Sequence, residues 1–321
     1  MQTKIFLAVG TLAQTACASL ALGATFPLPA EQDAVVGDVQ VISTKYEDTF
    51  GDLGRRYGIG YEEIVSANPG IDPWLPGTGT RVVIPTRFII PDAPREGIVI
   101  NLPEHRLYYF PTPKKGQQPV VVTYPISVGK MDWTTPLGHT RIVDKRVKPA
   151  WHPPESVREE HERDGRPLPK VVPPGPDNPL GDYAMRLGIP GGAYLIHGTN
   201  RPIAVGMPVT HGCIRMFPED IEALFPSVPV GTPVVILHQP NKAGWLGPVL
   251  YVEVHPPLEG SETSESLSLT NVTRMLVAAA KDRALNIDWA QAEQIFRRAS
   301  GIPEALNGPT DRARTAAAAD R

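Results

Sequence analysis

The sequence has very little cysteine, since only Cys17 and Cys213 occur among its 321 residues. This scarcity excludes the disulfide framework that many exported domains rely on. Cys17 lies in an N-terminal segment typical of a removable export signal, so Cys213 would remain as a lone thiol. An unpaired thiol in an oxidising compartment is a liability unless its reactivity is used. An inert, buried cysteine is the alternative.

The sequence also lacks an excess of one charge and, beyond its start, any long apolar segment. It contains 31 Lys and Arg against 34 Asp and Glu, for a formal net charge of −3. This balance gives no indication of a nucleic-acid partner. No later segment is long enough to cross a bilayer, so we expect no transmembrane segment. The length favours two or three domains.

Residues 1–24 are typical of a signal peptide. Lys4 is the only charge before Glu31, and the short apolar run "IFLAVGTLA" is followed by small residues. Cleavage could fall near "ACA" (16–18) or "ALGA" (21–24), and the sequence does not choose between them. A lipoprotein signal is disfavoured because Gln14 stands three residues before Cys17, where an apolar residue is needed. We therefore expect an exported protein without a lipid anchor.

Residues 39–86 predict a small unit with the order strand, helix, helix, strand. Thr49 is a suitable N-cap for the first helix, and Asn68 and Pro69 end the second. This unit resembles a LysM domain through Asp48, Thr49, Phe50, Tyr57, Gly58, Asn68, Pro69, Pro76, Gly77 and "VVIP" (82–85). The resemblance implies binding of the N-acetylated glycan of peptidoglycan or chitin. A packing module that binds no glycan is the alternative.

Residues 96–240 contain many short apolar runs separated by Gly and Pro, which predicts a mainly β unit, a sandwich or a barrel. The polar, proline-rich insert 153–182 is too long for an ordinary connection and is expected to be a lid or a mobile loop. Residues 246–306 predict a strand followed by two helices. The tail 307–321 is expected to be disordered.

The chemistry of Cys213 depends on a neighbouring base, because the thiolate is the nucleophile. His211 is two residues away and would share a strand face with the thiol, yet it would approach from along the same chain. His197 ends a predicted buried strand, and an adjacent strand could present it across from the thiol. Gly212 leaves room for backbone N–H groups to face an oxyanion, and Arg215 could bind a carboxylate.

A zinc site formed by His197, His211 and Cys213 is a weaker alternative, because no fourth ligand is marked. We therefore expect no metal and no cofactor. The remaining histidines are scattered, so structural or surface roles are expected for His105, His139, His152, His161, His238 and His255.

The segment "HGTNRPIAVGMPVTHGCIRM" (197–216) resembles the signature of the L,D-transpeptidase (YkuD-like) catalytic domain, with Thr210 where serine is commoner. The stretches "GIVINLPEHRLYYF" and "TPLGHT" (135–140) are similar to that family as well. The resemblance implies a β-sandwich in which Cys213 is the nucleophile and His197 the general acid–base. It further implies that Gly198 orients this histidine, that Thr210, His211 and Gly212 support the nucleophile loop, and that Arg215 holds substrate.

The implied reaction is a cysteine acyl transfer on peptidoglycan. The donor would be the meso-diaminopimelate of a tetrapeptide stem, with release of D-alanine, and the acceptor a second stem or a lysine of a wall-anchored lipoprotein. The arrangement resembles Gram-negative periplasmic enzymes that attach Braun-type lipoprotein to the wall. Two alternatives stay open: an L,D-carboxypeptidase that uses water, and a peptidoglycan-binding wall protein without catalysis.

Overall fold

The computed structural model describes residues 23–130, 133–191, 194–258, 268–281, 283 and 286–307. Most of the predicted signal peptide, residues 1–22, and residues 308–321 of the predicted tail lie outside this range. Among the described residues, none of the helices combines the length and the apolar character that crossing a bilayer requires.

Along the chain, the described elements begin with an edge strand of the main sheet and end with a strand of a small C-terminal sheet. The strands are β1 (Ala24–Pro27), β2 (Val35–Gly37), β3 (Gln40–Ser43), β4 (Arg81–Ile84), β5 (Arg87–Ile89), β6 (Gly97–Asn101), β7 (Arg106–Phe110), β8 (Val120–Pro125), β9 (Val128–Gly129), β10 (Gly138–Val147), β11 (Tyr183–Leu187), β12 (Leu195–His197), β13 (Pro208–Thr210), β14 (Ile214–Arg215), β15 (Pro233–Leu237), β16 (Asn241–Leu246), β17 (Val249–Val254) and β18 (Glu304–Ala305). The helices are α1 (Phe50–Tyr57), α2 (Tyr61–Ala67), α3 (Glu155–Arg163), α4 (Pro218–Ser227), α5 (Leu269–Ala280) and α6 (Trp289–Arg298), with a 3-10 turn at Pro202–Ala204.

A nine-stranded sheet forms the centre of the molecule, in the order β1-β8-β7-β6-β15-β10-β11-β12-β14. The β6–β15 and β12–β14 pairs are parallel and the others are antiparallel. Ile98 and Ile100 of β6 enter the largest core cluster, whereas Val99 between them packs into a second cluster on the opposite face. Because both faces are covered, β6 and β7 are buried at nearly every position and are mostly apolar. The prediction of a mainly β catalytic unit is confirmed.

Residues 40–84 contain β3, α1, α2 and β4, the order of elements that the sequence predicts. The Thr49 hydroxyl accepts a hydrogen bond from the backbone N–H of Asp52, and Gly58 ends α1 with a φ of 66°. The strands β3 and β4 pair in antiparallel register over a small apolar core. This unit therefore has its own core. The core is small, so contacts with the neighbouring unit are expected to contribute to its stability.

The N-terminal unit is held against the main sheet by ionic contacts. Arg106 of β7 is completely buried and binds both carboxylate oxygens of Glu63 in α2, with two N···O distances of 2.8 Å. Arg55 of α1 makes a second two-point contact with Glu219 of α4, at 2.6 and 2.9 Å. We expect a fixed orientation of this unit, because breaking a buried ion pair leaves an uncompensated charge.

A buried ionic group, here called the junction cluster, joins the C-terminal sheet to both other parts. It consists of Glu104, Lys242, Glu253 and His255. Lys242 Nζ lies 2.8 Å from a Glu104 oxygen and 2.7 Å from a Glu253 oxygen, and it donates to the Ile89 carbonyl at 2.6 Å. His255 Nε2 lies 2.6 Å from Glu253 Oε1. The cluster thus links β5, the β6–β7 turn and the β16–β17 hairpin.

Candidate active site

The sheet brings Cys213 and His197 together by placing β12 beside β14. The two strands are parallel, with Ile196 opposite Ile214 and His197 opposite Arg215. Alternation along a strand then puts His197, Cys213 and Arg215 on one face. These three residues, here called the catalytic cluster, line one cavity of about 790 Å³. The fifteen residues between the histidine and the thiol contain the 3-10 turn and β13.

The ring of His197 is oriented by the backbone carbonyl of the next residue, Gly198. Its ring is buried, and Nδ1 lies 2.6 Å from the Gly198 carbonyl oxygen. Because a carbonyl only accepts, Nδ1 carries the hydrogen and Nε2 is left to exchange protons. Burial lowers the pKa of His197 to about 3, and the charge of Arg215 acts in the same direction. The imidazole is therefore neutral at pH 7 and can act as a base.

Cys213 is a protonated thiol at rest. Burial raises its pKa, and a backbone contact with Leu195 and the charge of Arg215 only partly oppose this effect. A neutral thiol beside a neutral imidazole differs from the preformed ion pair of many cysteine enzymes. The proton must therefore move when substrate arrives.

The loop around the thiol is fixed by two hydrogen bonds and by the backbone conformation of Gly212. Thr210 Oγ1 donates to the Cys213 carbonyl at 2.6 Å, and Thr135 Oγ1 donates to the Gly212 carbonyl at 3.0 Å. Gly212 has a φ of 94°, and a Cβ there would lie 3.0 Å from a Tyr194 ring carbon. Only glycine suits this position. Thr135 lies 77 residues from its partner, and no motif near either residue predicts this contact.

His211 is turned toward the insert. Its Nε2 lies 2.7 Å from Glu160 Oε2 of α3, and the ring meets Trp133 edge-on with 5.1 Å between centroids. The other Glu160 oxygen accepts from Lys130 Nζ at 2.5 Å. Hydrogen bonds from Lys130 first and His211 second lower the pKa of Glu160 to about 2. The insert 153–182 therefore contains a helix that forms a wall of the cavity and is attached to the nucleophile loop.

Arg215 is the cation two residues after the thiol, and it lines the same cavity. Its Nε is buried and has no hydrogen-bond partner among the described residues. Burial lowers its pKa, and the charge of Arg201, which also lines the cavity, adds to this effect. A half-buried guanidinium with an unused, buried Nε donor next to a nucleophile is suited to an anionic group on a substrate.

The zinc alternative finds no support in the geometry. In the described ranges, the group of His, Cys, Asp and Glu side chains close enough to share an ion is Glu104, Glu253 and His255, in the junction cluster. Lys242 already supplies the positive charge there. His105 is buried as well, with Nδ1 at 2.7 Å from the Gly206 carbonyl oxygen, so it has a structural contact.

Comparison with known proteins relates this chain to one enzyme family. The YkuD family, described as the L,D-transpeptidase catalytic domain, matches residues 95–236. Two Escherichia coli proteins named as probable L,D-transpeptidases are each 38% identical: YcfS over 295 residues and YbiS over 294. Each alignment covers 90% of this chain, with 91% of YcfS and 94% of YbiS. The probable L,D-transpeptidase ErfK/SrfK of Salmonella typhimurium is 36% identical, covering 88% of this chain and 91% of the relative.

The matching solved structures align with about half of the chain and have low TM-scores. L,D-transpeptidase 3 from Mycobacterium tuberculosis is 22% identical to this chain, with a TM-score of 0.32. The alignment covers 49% of this chain and 67% of the mycobacterial chain. The carbamoyl enzyme of Ldtfm with avibactam gives a TM-score of 0.33 at 22% identity, covering 49% of this chain and 55% of its own.

Proposed function

Because this chain belongs to the L,D-transpeptidase (YkuD) family and is a peptidoglycan L,D-transpeptidase, we propose that Cys213 is its nucleophile and His197 its general acid–base. The observation that carries this proposal is that His197, which ends β12, and Cys213, which directly precedes the adjacent parallel strand β14, line one cavity. The Gly198 carbonyl holds Nδ1, so that Nε2 exchanges protons. We assign the sandwich-type catalytic domain of the family to the nine-stranded sheet and its covering elements.

The acylation step starts with the neutral pair. Cys213 Sγ attacks the carbonyl carbon at the L-centre of meso-diaminopimelate while its proton passes to His197 Nε2. The carbon–nitrogen bond to D-alanine then breaks, and the leaving nitrogen takes the proton from His197. A thioester on Cys213 and free D-alanine result. Substrate shields the site from water, so charge that develops on sulfur and oxygen is stabilised by fixed groups instead.

The supporting groups act on that developing charge. Gly212 leaves the backbone N–H groups of residues 212 and 213 free of a side-chain obstruction, and they would serve as oxyanion donors. Arg215 stabilises the thiolate by its charge and binds a stem-peptide carboxylate. Thr210 and His211 hold the loop, Thr210 through the Cys213 carbonyl and His211 through Glu160.

The second half-reaction passes the acyl group to an amine. The acceptor nitrogen attacks the thioester carbonyl, its proton goes to His197, and the Cys213 thiolate leaves and is reprotonated. A cavity of about 790 Å³ is large enough for parts of two peptides. We propose a second stem or a lipoprotein lysine as acceptor. An L,D-carboxypeptidase, in which water takes the place of the amine, is the second candidate.

We propose that the N-terminal unit is a LysM-like glycan-binding module. Its exposed surface carries Tyr46, Trp74 and Leu75, with Trp74 50% exposed and its ring 5.9 Å from that of Tyr61. Exposed aromatic rings of this kind stack on sugar rings. Sedimentation with purified peptidoglycan tests this role: Trp74→Ala should reduce co-sedimentation several-fold, and unchanged binding contradicts it.

We propose that the protein acts in the periplasm after removal of an N-terminal leader. The support is the composition of residues 1–24 and the likeness to proteins of Gram-negative bacteria. Fractionation of cells that express the full chain tests the location. Recovery of the unprocessed chain in the cytoplasm contradicts it.

Incubation of the protein with a disaccharide tetrapeptide tests the reaction. Mass spectrometry should detect free D-alanine and a thioester on Cys213, and added amine acceptor should give an amide product. Tripeptide without any amide product, even at high acceptor concentration, indicates the carboxypeptidase. Absence of both products and of the thioester indicates a wall-binding protein without catalysis.

A further inference from the structure

The segment that joins His197 to the loop around the thiol lies against the N-terminal unit. This connecting segment, residues 198–209, begins with the carbonyl that holds the His197 ring. It ends beside Thr210, which donates to the Cys213 carbonyl at 2.6 Å. Val205, near its middle, is only 1% exposed. Because both ends of the connecting segment adjoin groups of the site, its position affects the imidazole and the thiol together.

The N-terminal unit contacts the connecting segment through the first two residues of α2. The backbone N–H of Tyr61 donates to the Val205 carbonyl at 3.1 Å, and that of Glu62 donates to the Gly206 carbonyl at 3.3 Å. Both carbonyls belong to buried residues, for which such bonds are needed. These are main-chain bonds, so they fix the path of the backbone and do not depend on a particular side chain.

The main sheet holds the same stretch as well. Ser127 Oγ donates to the Ala204 carbonyl at 2.7 Å, and the backbone of Ser127 exchanges two hydrogen bonds with Arg215, at 2.8 and 3.0 Å. His105 Nδ1 lies 2.7 Å from the Gly206 carbonyl oxygen. A carbonyl only accepts, so Nδ1 donates. The connecting segment is thus tied both to the N-terminal unit and to β14, which follows the thiol.

The two backbones meet most closely at a pair of glycines. A Cβ on Gly60 would lie 2.8 Å from the Gly206 Cα, and a Cβ on Gly206 would overlap the Gly60 Cα. Carbon atoms in contact are optimally separated by roughly 3.5–4.0 Å. A further close contact joins Gly51 of α1 to Ile203, since a Cβ on Gly51 would lie 3.0 Å from Ile203 Cγ1. A side chain at Gly60 or Gly206 must therefore displace the connecting segment or α2.

Resting on the proposed roles of Cys213 and His197, we propose that the N-terminal unit is a positioning element of the active site. Its residues 60–62 fix the connecting segment and thereby the placement of the imidazole relative to the thiol. Both groups are neutral at rest, so a proton must pass from one to the other during the reaction. A misplacement of about 1 Å can reduce the rate by about 10²-fold. The N-terminal unit therefore contributes to turnover itself and not only to attachment to the wall.

Turnover of a soluble tetrapeptide stem that lacks its disaccharide tests this role, because glycan binding cannot contribute to that reaction. Gly60→Ala should lower kcat at least about tenfold and leave KM within about twofold of the parent. Gly60 has a φ of −77°, which alanine adopts freely, so the substitution acts through the added Cβ.

Gly70→Ala is the matched control in the same unit. Gly70 has a φ of 84°, and a Cβ there would meet no atom of the described residues within 4 Å. This variant strains the N-terminal unit without touching the connecting segment. It should leave kcat and KM unchanged.

A second pair of variants approaches the contact from the connecting segment. Gly206 and Gly231 have φ values of 90° and 94°, so alanine is strained equally at both positions. A Cβ on Gly231, however, has open space around it in the described structure. Gly206→Ala should lower kcat more than Gly60→Ala, because its overlap is closer, whereas Gly231→Ala should keep the kcat and KM of the parent. Thermal melting checks that each variant is folded, and Gly60→Ala, with the smaller overlap, decides the test if Gly206→Ala does not fold.

Alkylation of Cys213 by iodoacetamide, followed by peptide mass spectrometry, gives a readout that a purely structural role would not change. The imidazole takes the thiol proton, so the ratio of the alkylation rates at pH 7 and pH 9 reports on the contact between the two groups. The ratio is corrected for differences in access to the thiol. It should fall several-fold in Gly60→Ala and stay at the parental value in Gly70→Ala.

Parental kcat and a parental alkylation ratio in folded Gly60→Ala overturn the proposal, and the N-terminal unit then serves binding alone. A rise in KM at constant kcat overturns it as well. A parent protein that releases no D-alanine defeats the proposed function instead. In that case the alkylation ratios of Gly60→Ala and Gly70→Ala still decide whether the contact positions the imidazole and the thiol.

Discussion

The junction cluster and the catalytic cluster are both groups of buried ionisable side chains, and they differ in how far their polar atoms are satisfied. In the junction cluster Lys242 contacts two carboxylates and a backbone carbonyl. In the catalytic cluster the thiol and the imidazole are held neutral, and the Nε of Arg215 has no partner among the described residues. A saturated network stabilises a structure, whereas an unsaturated one is ready for a substrate.

The free-energy cost of burying ionisable groups is offset differently in the two clusters. Junction charges remain charged because opposite charges are in contact, with Lys242 Nζ 2.7 Å from Glu253. In the catalytic cluster, burial instead shifts the pKa of Cys213 and of His197 toward their neutral forms. The charge that is missing at rest is formed only during the reaction. The two clusters therefore predict opposite responses to mutation.

The largest expected effect is on catalysis, from Cys213→Ala. D-alanine release and amide formation should fall by at least about 10³-fold, since no other residue takes over the nucleophile. Stability should hardly change, because a small buried side chain replaces another and breaks no ion pair. The measurements are product formation by mass spectrometry and thermal melting. Retained activity, or a large loss of stability, contradicts the distinction between the clusters.

The reverse pattern is expected from Lys242→Met in the junction cluster. Removing the cation leaves the buried Glu104 without an ion-pair partner and Glu253 with His255 alone, which should cost about 3–5 kcal/mol of unfolding free energy. Turnover by the folded protein at low temperature should stay within about threefold of the parent. Lys115→Met, at an exposed position, is the matched control and should change stability by less than about 0.5 kcal/mol. Equal denaturation midpoints for the two variants would exclude a structural role for the cluster.

The sequence predicted the catalytic cluster better than its surroundings. The spacing of His197 and Cys213 and the glycine at 212 pointed to adjacent strands, and the register of β12 and β14 agrees. Those signals are local, because each rests on residues within a few positions of the nucleophile or on a short motif. Much of the main sheet was predictable for the same reason, since strands such as β6, β8 and β15 are short, mostly apolar runs.

What could not be predicted depends on contacts between distant residues. Helix α3 has Val157 as its single buried residue, so the insert shows no apolar periodicity and was predicted as a loop or lid. The Glu160–His211 contact spans 51 residues, and the Lys242–Glu104 contact spans still more. Polar pairs carry no periodic signal, and their partners are set only by the fold.

A pH titration of stability tests the catalytic cluster next. His197 has a folded-state pKa of about 3, below its ordinary 6.5, so the unfolded chain binds a proton that the folded chain refuses. Stability should therefore be full above pH 6.5 and fall as the pH drops toward 3, by up to about 4 kcal/mol from this residue. His105, with a pKa lowered to about 4 by burial, adds to the same loss.

Denaturant unfolding of His197→Gln between pH 7 and 4 measures this contribution. The variant should lose less stability on acidification than the parent protein, by about 1.4 kcal/mol per pH unit below 6.5. His139→Gln, at an exposed position, is the control and should follow the parent. Parallel curves for parent and His197→Gln would mean that the imidazole is not held neutral by the fold.

The smallest expected effect concerns Glu160, which is part of neither cluster but fixes the loop of the catalytic one. Glu160→Gln keeps the shape of the side chain and removes the charge that attracts Lys130 and orients His211. We expect kcat/KM to fall about tenfold, because small displacements of a nucleophile reduce rate more than binding. The loss should appear mainly in kcat, and melting temperature should change little, since the contact is partly exposed.

Glu162→Gln, two residues further on the same helix and exposed, is the matched control and should leave both constants unchanged. If the two variants have the same kinetics, α3 merely lines the cavity and the loop around Cys213 is positioned by Thr135 and Thr210 alone.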